Sequence, residues 1–225
     1  MLGKPIYSIT PFSLLDYPNQ TSCIIWYAGC DMRCPYCYNS EIVFGTGNVT
    51  FSECEQFLKK RKGLLDAVVF SGGECLIHKS IIEQIKEVKK MGFLVKIDTN
   101  GSSPAILEAL LDERTIDYVA LDFKSTREKF AKVTRSNLYN KFEKSLKLLV
   151  NGQVDFEVRT TFHSALLSIE NLDEMVGILE DYGYQGNFYV QLFRNTGTTI
   201  GRLAEHKKIS FNKLLESEHV KVVFR

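Results

Sequence analysis

Three cysteines within eight residues, Cys30, Cys34 and Cys37, have the clearest capacity for chemistry in this sequence. They sit at C-x3-C-x2-C spacing in Gly29-Cys30-Asp31-Met32-Arg33-Cys34-Pro35-Tyr36-Cys37-Tyr38-Asn39. A pair of cysteines so spaced is a weak signal, whereas three are fairly specific. A structural zinc site closes with four ligands, and the other cysteines, Cys23, Cys54 and Cys75, have no CxxC spacing of their own. A 4Fe–4S cluster also normally takes four thiolates. With three, one iron is left open to a small-molecule ligand.

A second set of polar residues follows short apolar runs. Ser71-Gly72-Gly73-Glu74 follows one and Asp98-Thr99-Asn100-Gly101 the next; Asp122 and Lys124 end a third, Arg159 lies late in a fourth and Gln191 late in a fifth. The runs carry the β-branched and aromatic residues of strands: Cys23–Tyr27, Ala67–Phe70, Phe93–Ile97, Tyr118–Leu121, Phe156–Thr160 and Phe188–Leu192.

Helical patterns separate them. Thr50 and Glu53 form a capping-box pattern opening Phe51–Arg61, and Ile81, Ile85 and Val88 share one face ahead of Gly92. Ser103-Pro104 suits an N-cap and first turn. Leu138, Phe142, Leu146 and Leu149 follow the helical period, as do Leu172, Met175, Val176 and Leu179. About six strand–helix repeats imply parallel βα units in one domain over 1–225: an α/β partial (β/α)6 TIM-like barrel or an open doubly wound sheet. The cluster loop spans 28–40. A C-terminal extension over about 195–225 is expected to hold a helix near Phe211–Glu216 and a last strand at Val220–Phe224. Active sites of βα folds lie at the C-terminal ends of strands, where these polar residues collect. Period-two alternation puts Lys96 with Asp98, Ala120 with Asp122 and Lys124, and Glu157 with Arg159. Lys96 and Glu157 read best as neutralising partners.

The balance of 28 Lys+Arg against 27 Asp+Glu disfavours a nucleic-acid partner. The start lacks a signal-peptide apolar region and no run has membrane-span length, so no membrane partner and a cytoplasmic location are expected. Clustered thiols in a reducing compartment point to metal or redox chemistry, not disulfides.

The open iron has a purpose if its ligand is S-adenosylmethionine (SAM), chelating through amino and carboxylate groups. One electron passed to the sulfonium then releases a 5′-deoxyadenosyl radical that abstracts hydrogen. With Cys30, Cys34 and Cys37, the aromatic Tyr36, and Gly72-Gly73-Glu74 about thirty-five residues later, the sequence resembles the radical SAM superfamily over nearly its whole length. The resemblance implies that the three cysteines hold the cluster. It also implies that Gly72, Gly73 and Glu74 flank the methionine end of the cofactor and that Tyr36 meets the adenine through its backbone.

Within that superfamily it most resembles the activating enzymes of glycyl radical enzymes. Ser13-Leu14-Leu15-Asp16-Tyr17-Pro18 is similar to activases of anaerobic ribonucleoside-triphosphate reductase, and Asp98–Gly101 and Leu121–Lys124 to motifs of pyruvate formate-lyase activase. The resemblance implies a monovalent cation held by Asp98, Thr99, Asp122 and the Ala120 carbonyl, and cofactor contacts from Lys124 and Arg159. It also implies a glycyl radical enzyme as protein substrate and flavodoxin or ferredoxin as electron donor. A small-molecule enzyme of the 7-carboxy-7-deazaguanine synthase type is the alternative, though Tyr38-Asn39 lacks that family's usual threonine. Three further departures stand out: Tyr38 replaces the usual histidine after the third cysteine, Asn19 replaces the glycine that usually follows Asp-Tyr-Pro, and Gln191–Asn195 lacks the histidine that ends the corresponding strand in pyruvate formate-lyase activase. Cys23 and Cys54 read as buried bystanders. Cys75 is expected near the cofactor, His163 near the barrel mouth, and His78, His206 and His219 at the surface.

Overall fold

The six apolar runs form strands close to their expected bounds in the computed structural model, which describes residues 4–195, 197–205 and 217–225. They are β2 (Ser22–Tyr27), β3 (Ala67–Gly72), β4 (Leu94–Thr99), β5 (Tyr118–Asp122), β6 (Asp155–Phe162) and β7 (Gly186–Leu192). The expected last strand is β8 (Val220–Phe224), paired parallel to β7. The sheet runs β1 to β8 in sequence order, parallel from β2 onward.

One strand departs from the all-parallel expectation. β1 (Ile6–Ser13) pairs antiparallel with β2, with irregular register near Thr10. It contains Pro11, which the sheet tolerates because this is an edge strand. The helices are α1 (Ser40–Phe44), α2 (Phe51–Lys59), α3 (Ile81–Lys90), α4 (Pro104–Asp112), α5 (Arg127–Thr134), α6 (Tyr139–Asn151) and α7 (Ile169–Asp181). The capping box of Thr50 and Glu53 forms as expected. Ser103 precedes α4 but its hydroxyl makes no cap bond. The helix expected near Phe211 lies outside the described residues, as does His206.

Alternation along the strands builds two apolar clusters. Outward residues such as Val68, Phe70, Val95, Ile97, Val119 and Leu121 pack with the helices into the main core. In α3, Ile81, Ile85 and Val88 are fully buried; each contributes roughly 1.5–3 kcal/mol. The exposed Lys90–Glu87 pair contributes under about 1 kcal/mol, so apolar burial docks this helix. Inward residues Ile24, Ala67 and Val69 form a small second cluster with Tyr17, beside Trp26, Leu94 and Tyr118. The Tyr17 and Tyr118 rings lie 5.9 Å apart. The β1–β2 loop therefore fills the inside of the curved sheet at its lower end, leaving a cleft at the C-terminal ends of the strands. Among the described residues no helix is long and apolar enough to cross a membrane.

Candidate active site

A cleft of about 300 Å³ opens at the C-terminal ends of the strands. The structure brings all twelve site residues of the sequence reading together there: Cys30, Cys34, Tyr36, Cys37, Gly72, Gly73, Glu74, Asp98, Thr99, Asp122, Lys124 and Arg159 all line it. Asp16, Trp26, Asn100, Thr161 and Gln191 line it too. Asn100 was legible in the Asp98–Gly101 segment, and Thr161 in the alternation that places Arg159.

Backbone contacts fix the loop that carries Cys30, Cys34 and Cys37. The Glu74 N–H donates to the Gly29 carbonyl at 2.9 Å and the Gly73 N–H to the Tyr27 carbonyl at 3.0 Å. A Cβ on Gly73 would lie 2.0 Å from the Gly29 oxygen, and one on Gly72 2.3 Å from the Tyr27 oxygen. Gly72 also has φ +129°, a region open chiefly to glycine. These glycines thus let two loop backbones touch. Gly73→Ala is expected to destabilise the fold by about 2 kcal/mol, measurable as a lower urea midpoint, and to loosen the cysteine loop.

Glu74 has 1 % exposure. Its Oε1 accepts from the Leu76 N–H at 3.1 Å and the Thr99 hydroxyl at 2.9 Å, and its Oε2 from the Asn100 N–H at 2.7 Å. Burial raises its pKa to about 7 despite those three bonds. A raised folded-state value favours the protonated fold, so its contribution is fullest below the ordinary value of 4.5 and is lost as pH rises through about 7. That loss is about 3 kcal/mol. Urea unfolding of the metal-free protein is expected to show stability falling from pH 5 to 8, with a flatter profile for Glu74→Gln.

Beneath the cleft runs a chain of ion pairs. Lys96 Nζ lies 2.9 Å from Asp98 Oδ1 and donates to the Asp16 carbonyl at 2.6 Å. Arg159 spans both acids, 3.3 Å from Asp98 Oδ2 and 2.6 Å from Asp122 Oδ1, and Lys124 lies 2.9 Å from Asp122 Oδ2. Burial alone would raise both acids, but Arg159 and Lys96 hold Asp98 below its usual value. Arg159 and Lys124 hold Asp122 at about 2. Glu157 pairs with Arg225 at 3.2 Å. The neutralising roles expected of Lys96 and Glu157 are therefore present.

Cys75 and His163 lie near the C-terminal ends of β3 and β6 as expected but do not open into the cleft, and one expectation, a surface place for His78, is corrected. Cys75 does not face the cleft: it is fully buried, its thiol 3.6 Å from the Phe70 and Asp98 carbonyls. His163 is walled in at 3 % exposure. Its Nδ1 accepts from the Ala165 N–H at 3.1 Å, so Nε2 donates to the Ala204 carbonyl at 2.8 Å. His78 is partly buried rather than exposed, its Nε2 2.8 Å from the Ala28 carbonyl; His219 is exposed.

Comparison with known proteins bears on what this cleft is for. The radical SAM superfamily model matches residues 24–182. A protein of Methanocaldococcus jannaschii named as a glycyl-radical enzyme activating enzyme is 33% identical over 187 residues, covering 78% of this chain and 75% of its own. The chain belongs to the radical SAM superfamily. The pyruvate formate-lyase-activating enzyme of Clostridium pasteurianum is 29% identical over 189 residues, 80% of this chain and 78% of that one. Streptococcus suis SuiB bound to S-adenosylmethionine shares the fold at TM-score 0.66 and 15% identity, with 90% of this chain covering 51% of that longer one.

Membership implies a radical SAM enzyme with a 4Fe–4S cluster and SAM, and the cleft fits both. Of the six cysteines only Cys30, Cys34 and Cys37 line it. Tyr36 Oη, buried beside Cys34, has no well-aligned hydrogen-bond partner, leaving a polar atom for a ligand to meet. Burial pushes the Cys30 thiol up to about 12 and raises Cys34, so both thiols give up protons when metal binds. The cation cage is less well formed: the Thr99 hydroxyl donates to Glu74, and Arg159 already spans Asp98 and Asp122.

Proposed function

We propose that this radical SAM enzyme installs a glycyl radical in a partner protein, with anaerobic (class III) ribonucleoside-triphosphate reductase as the leading partner. The observation that carries this reading is the pair of relatives named as activating enzymes, each matching across more than three quarters of this chain. The reductase assignment rests on the Ser13–Pro18 resemblance. Asp16 of that segment lines the cleft and its carbonyl is held by Lys96, while Leu14 and Leu15 are 65% and 94% exposed. The loop thus offers an acidic wall inside and an apolar tip outside.

In this reading Cys30, Cys34 and Cys37 hold the cluster. The cluster and SAM, when bound there, would supply the radical chemistry that removes hydrogen from a glycine Cα. Glu74, whose burial raises its pKa to about 7, would offer a carboxylate oxygen to the cofactor's amino group. Arg159 and Lys124 offer donors to a carboxylate, Arg159 with fork geometry. The Tyr36 backbone meets the adenine. The monovalent cation expected at Asp98, Thr99 and Asp122 fits this arrangement poorly, because Arg159 bridges both acids and the Thr99 hydroxyl donates to Glu74. Flavodoxin or ferredoxin supplies the electron.

Pyruvate formate-lyase is the alternative partner. A small-molecule reaction of the 7-carboxy-7-deazaguanine synthase type is the second alternative, and Tyr38-Asn39 lacks the threonine usual in that family after the third cysteine. The test uses partner protein labelled with deuterium at glycine Cα. The expected result is deuterium in 5′-deoxyadenosine. Unlabelled product with every candidate partner counts against the activase reading.

A further inference from the structure

Two departures from the family pattern meet in space. Tyr38 follows the third cluster cysteine, and Phe193-Arg194 follows β7. Their rings stack with centroids 5.3 Å apart and planes 9° apart. Tyr38 Oη accepts from the Arg194 N–H at 2.8 Å and donates to the Arg194 carbonyl. Phe193 has 3 % exposure and is backed by the edge of His163 at 4.8 Å. In sheet order β2 and β7 stand near opposite ends. The contact therefore crosses the open side of the sheet, from the loop after β2 to the end of β7.

A second contact holds the same turn. The Ile200 N–H donates to the Cys37 carbonyl at 3.1 Å and the Gly201 N–H to the Pro35 carbonyl at 2.8 Å. A Cβ on Gly201 would lie 2.5 Å from Pro35 Cβ and 2.8 Å from Pro35 Cα, so this approach needs glycine. Thr199 has 2 % exposure; its hydroxyl accepts from the Leu203 N–H at 3.1 Å and its carbonyl from the Arg202 N–H at 3.0 Å, which folds the segment into a compact turn. Cys37 thus sits in a turn whose Pro35 and Cys37 carbonyls are tied by one segment and whose next residue is tied by another. In contrast, Cys30 is tied to the Asp98–Gly101 loop through Asn100, whose Nδ2 donates to Asp31 Oδ1 at 2.9 Å and lies 3.9 Å from Cys30 Sγ.

We infer that Tyr38, Phe193 and Gly201 form a clasp that closes the open sheet over the cluster loop and positions Cys37 as the third iron ligand. The inference rests on the radical SAM assignment. Groups around metal ligands orient them and tune the metal. A cluster on three thiolates depends heavily on each, because losing one leaves two. None of the clasp residues is a ligand; they are positioning residues for Cys37.

The test compares wild-type protein, Tyr38→Leu, Gly201→Ala and the milder Tyr38→Phe, each reconstituted anaerobically with iron and sulfide. Cluster loss to an iron chelator is followed by fading of the brown absorption, and the reduction potential by titration. The clasp predicts loss about tenfold faster in Tyr38→Leu and Gly201→Ala. It predicts a smaller acceleration in Tyr38→Phe, which keeps the ring stack but loses the bonds to Arg194. It also predicts a shifted potential in all three, which a merely global loss of stability would not produce. Wild-type loss rates and an unshifted potential in Tyr38→Phe and Gly201→Ala would overturn the clasp. A wild-type protein that takes up no 4Fe–4S cluster would instead overturn the cofactor reading, and the clasp with it.

Discussion

Cys37→Ala is expected to reduce cleavage of SAM by the chemically reduced protein to background, with 5′-deoxyadenosine as the measured product. The reason is that the cleft has no spare thiol. Cys30, Cys34 and Cys37 line it, whereas Cys23, Cys54 and Cys75 are fully buried in the core. Cys75 follows Glu74 in sequence, but its thiol turns toward the Phe70 and Asp98 carbonyls. Cys75→Ala should therefore keep cofactor cleavage and show only the modest cost of lost packing, about 1 kcal/mol. Cys30→Ala and Cys34→Ala should behave as Cys37→Ala. Product formation by Cys37→Ala would mean that the three-thiolate assignment is wrong.

Arg159→Met carries the second largest effect. Arg159 lies between two buried carboxylates, with side-chain exposure of 17% against 12% for Asp98 and 22% for Asp122. Breaking a buried pair leaves charge uncompensated, at a cost of about 3–5 kcal/mol. Lys96 still faces Asp98 and Lys124 still faces Asp122, which places the expected loss at about 3 kcal/mol. The pH dependence gives a second signature. Asp122 is held at about 2 against its ordinary 3.8. Its contribution is present above about pH 4 and lost as pH falls through about 2, a difference of roughly 2 kcal/mol. In Arg159→Met this acid limb should move to higher pH. Urea unfolding of the metal-free protein at several pH values measures both effects, and an unchanged midpoint at neutral pH would remove Arg159 from the role of central cation.

The parallel core of the fold and the cleft were legible in the sequence because period and punctuation agreed. Helix starts and stops such as Thr50 with Glu53, Gly92 and Ser103-Pro104 separated most of the apolar runs, and polar residues at strand ends had one place to converge. What escaped had weak local signals. β1 contains Pro11, which argues against a strand until its place at the sheet edge is known. α5 carries only Phe130, Val133 and Thr134 on its buried face, too short an apolar stripe to stand out. The capping box of Ser168 and Asn171 uses Asn where Glu or Gln is usual. The residues most dependent on three-dimensional closure were least readable. Nothing in the spacing of Tyr38 and Phe193 announces a ring stack across the sheet, and nothing near Lys96 announces a bond to the Asp16 carbonyl. The turned-away thiol of Cys75 illustrates the converse: adjacency to Glu74 in sequence does not fix which way a side chain points.

The central claim is that this enzyme makes a radical on a glycine of another protein. It is tested most directly by electron paramagnetic resonance of the anaerobically reduced, cluster-loaded protein mixed with SAM and class III ribonucleoside-triphosphate reductase or pyruvate formate-lyase. The account predicts the doublet of a glycyl radical, dependent on all three cluster cysteines and lost when the partner's radical glycine is replaced by alanine. Cofactor cleavage with no such doublet for any glycyl radical partner would contradict it.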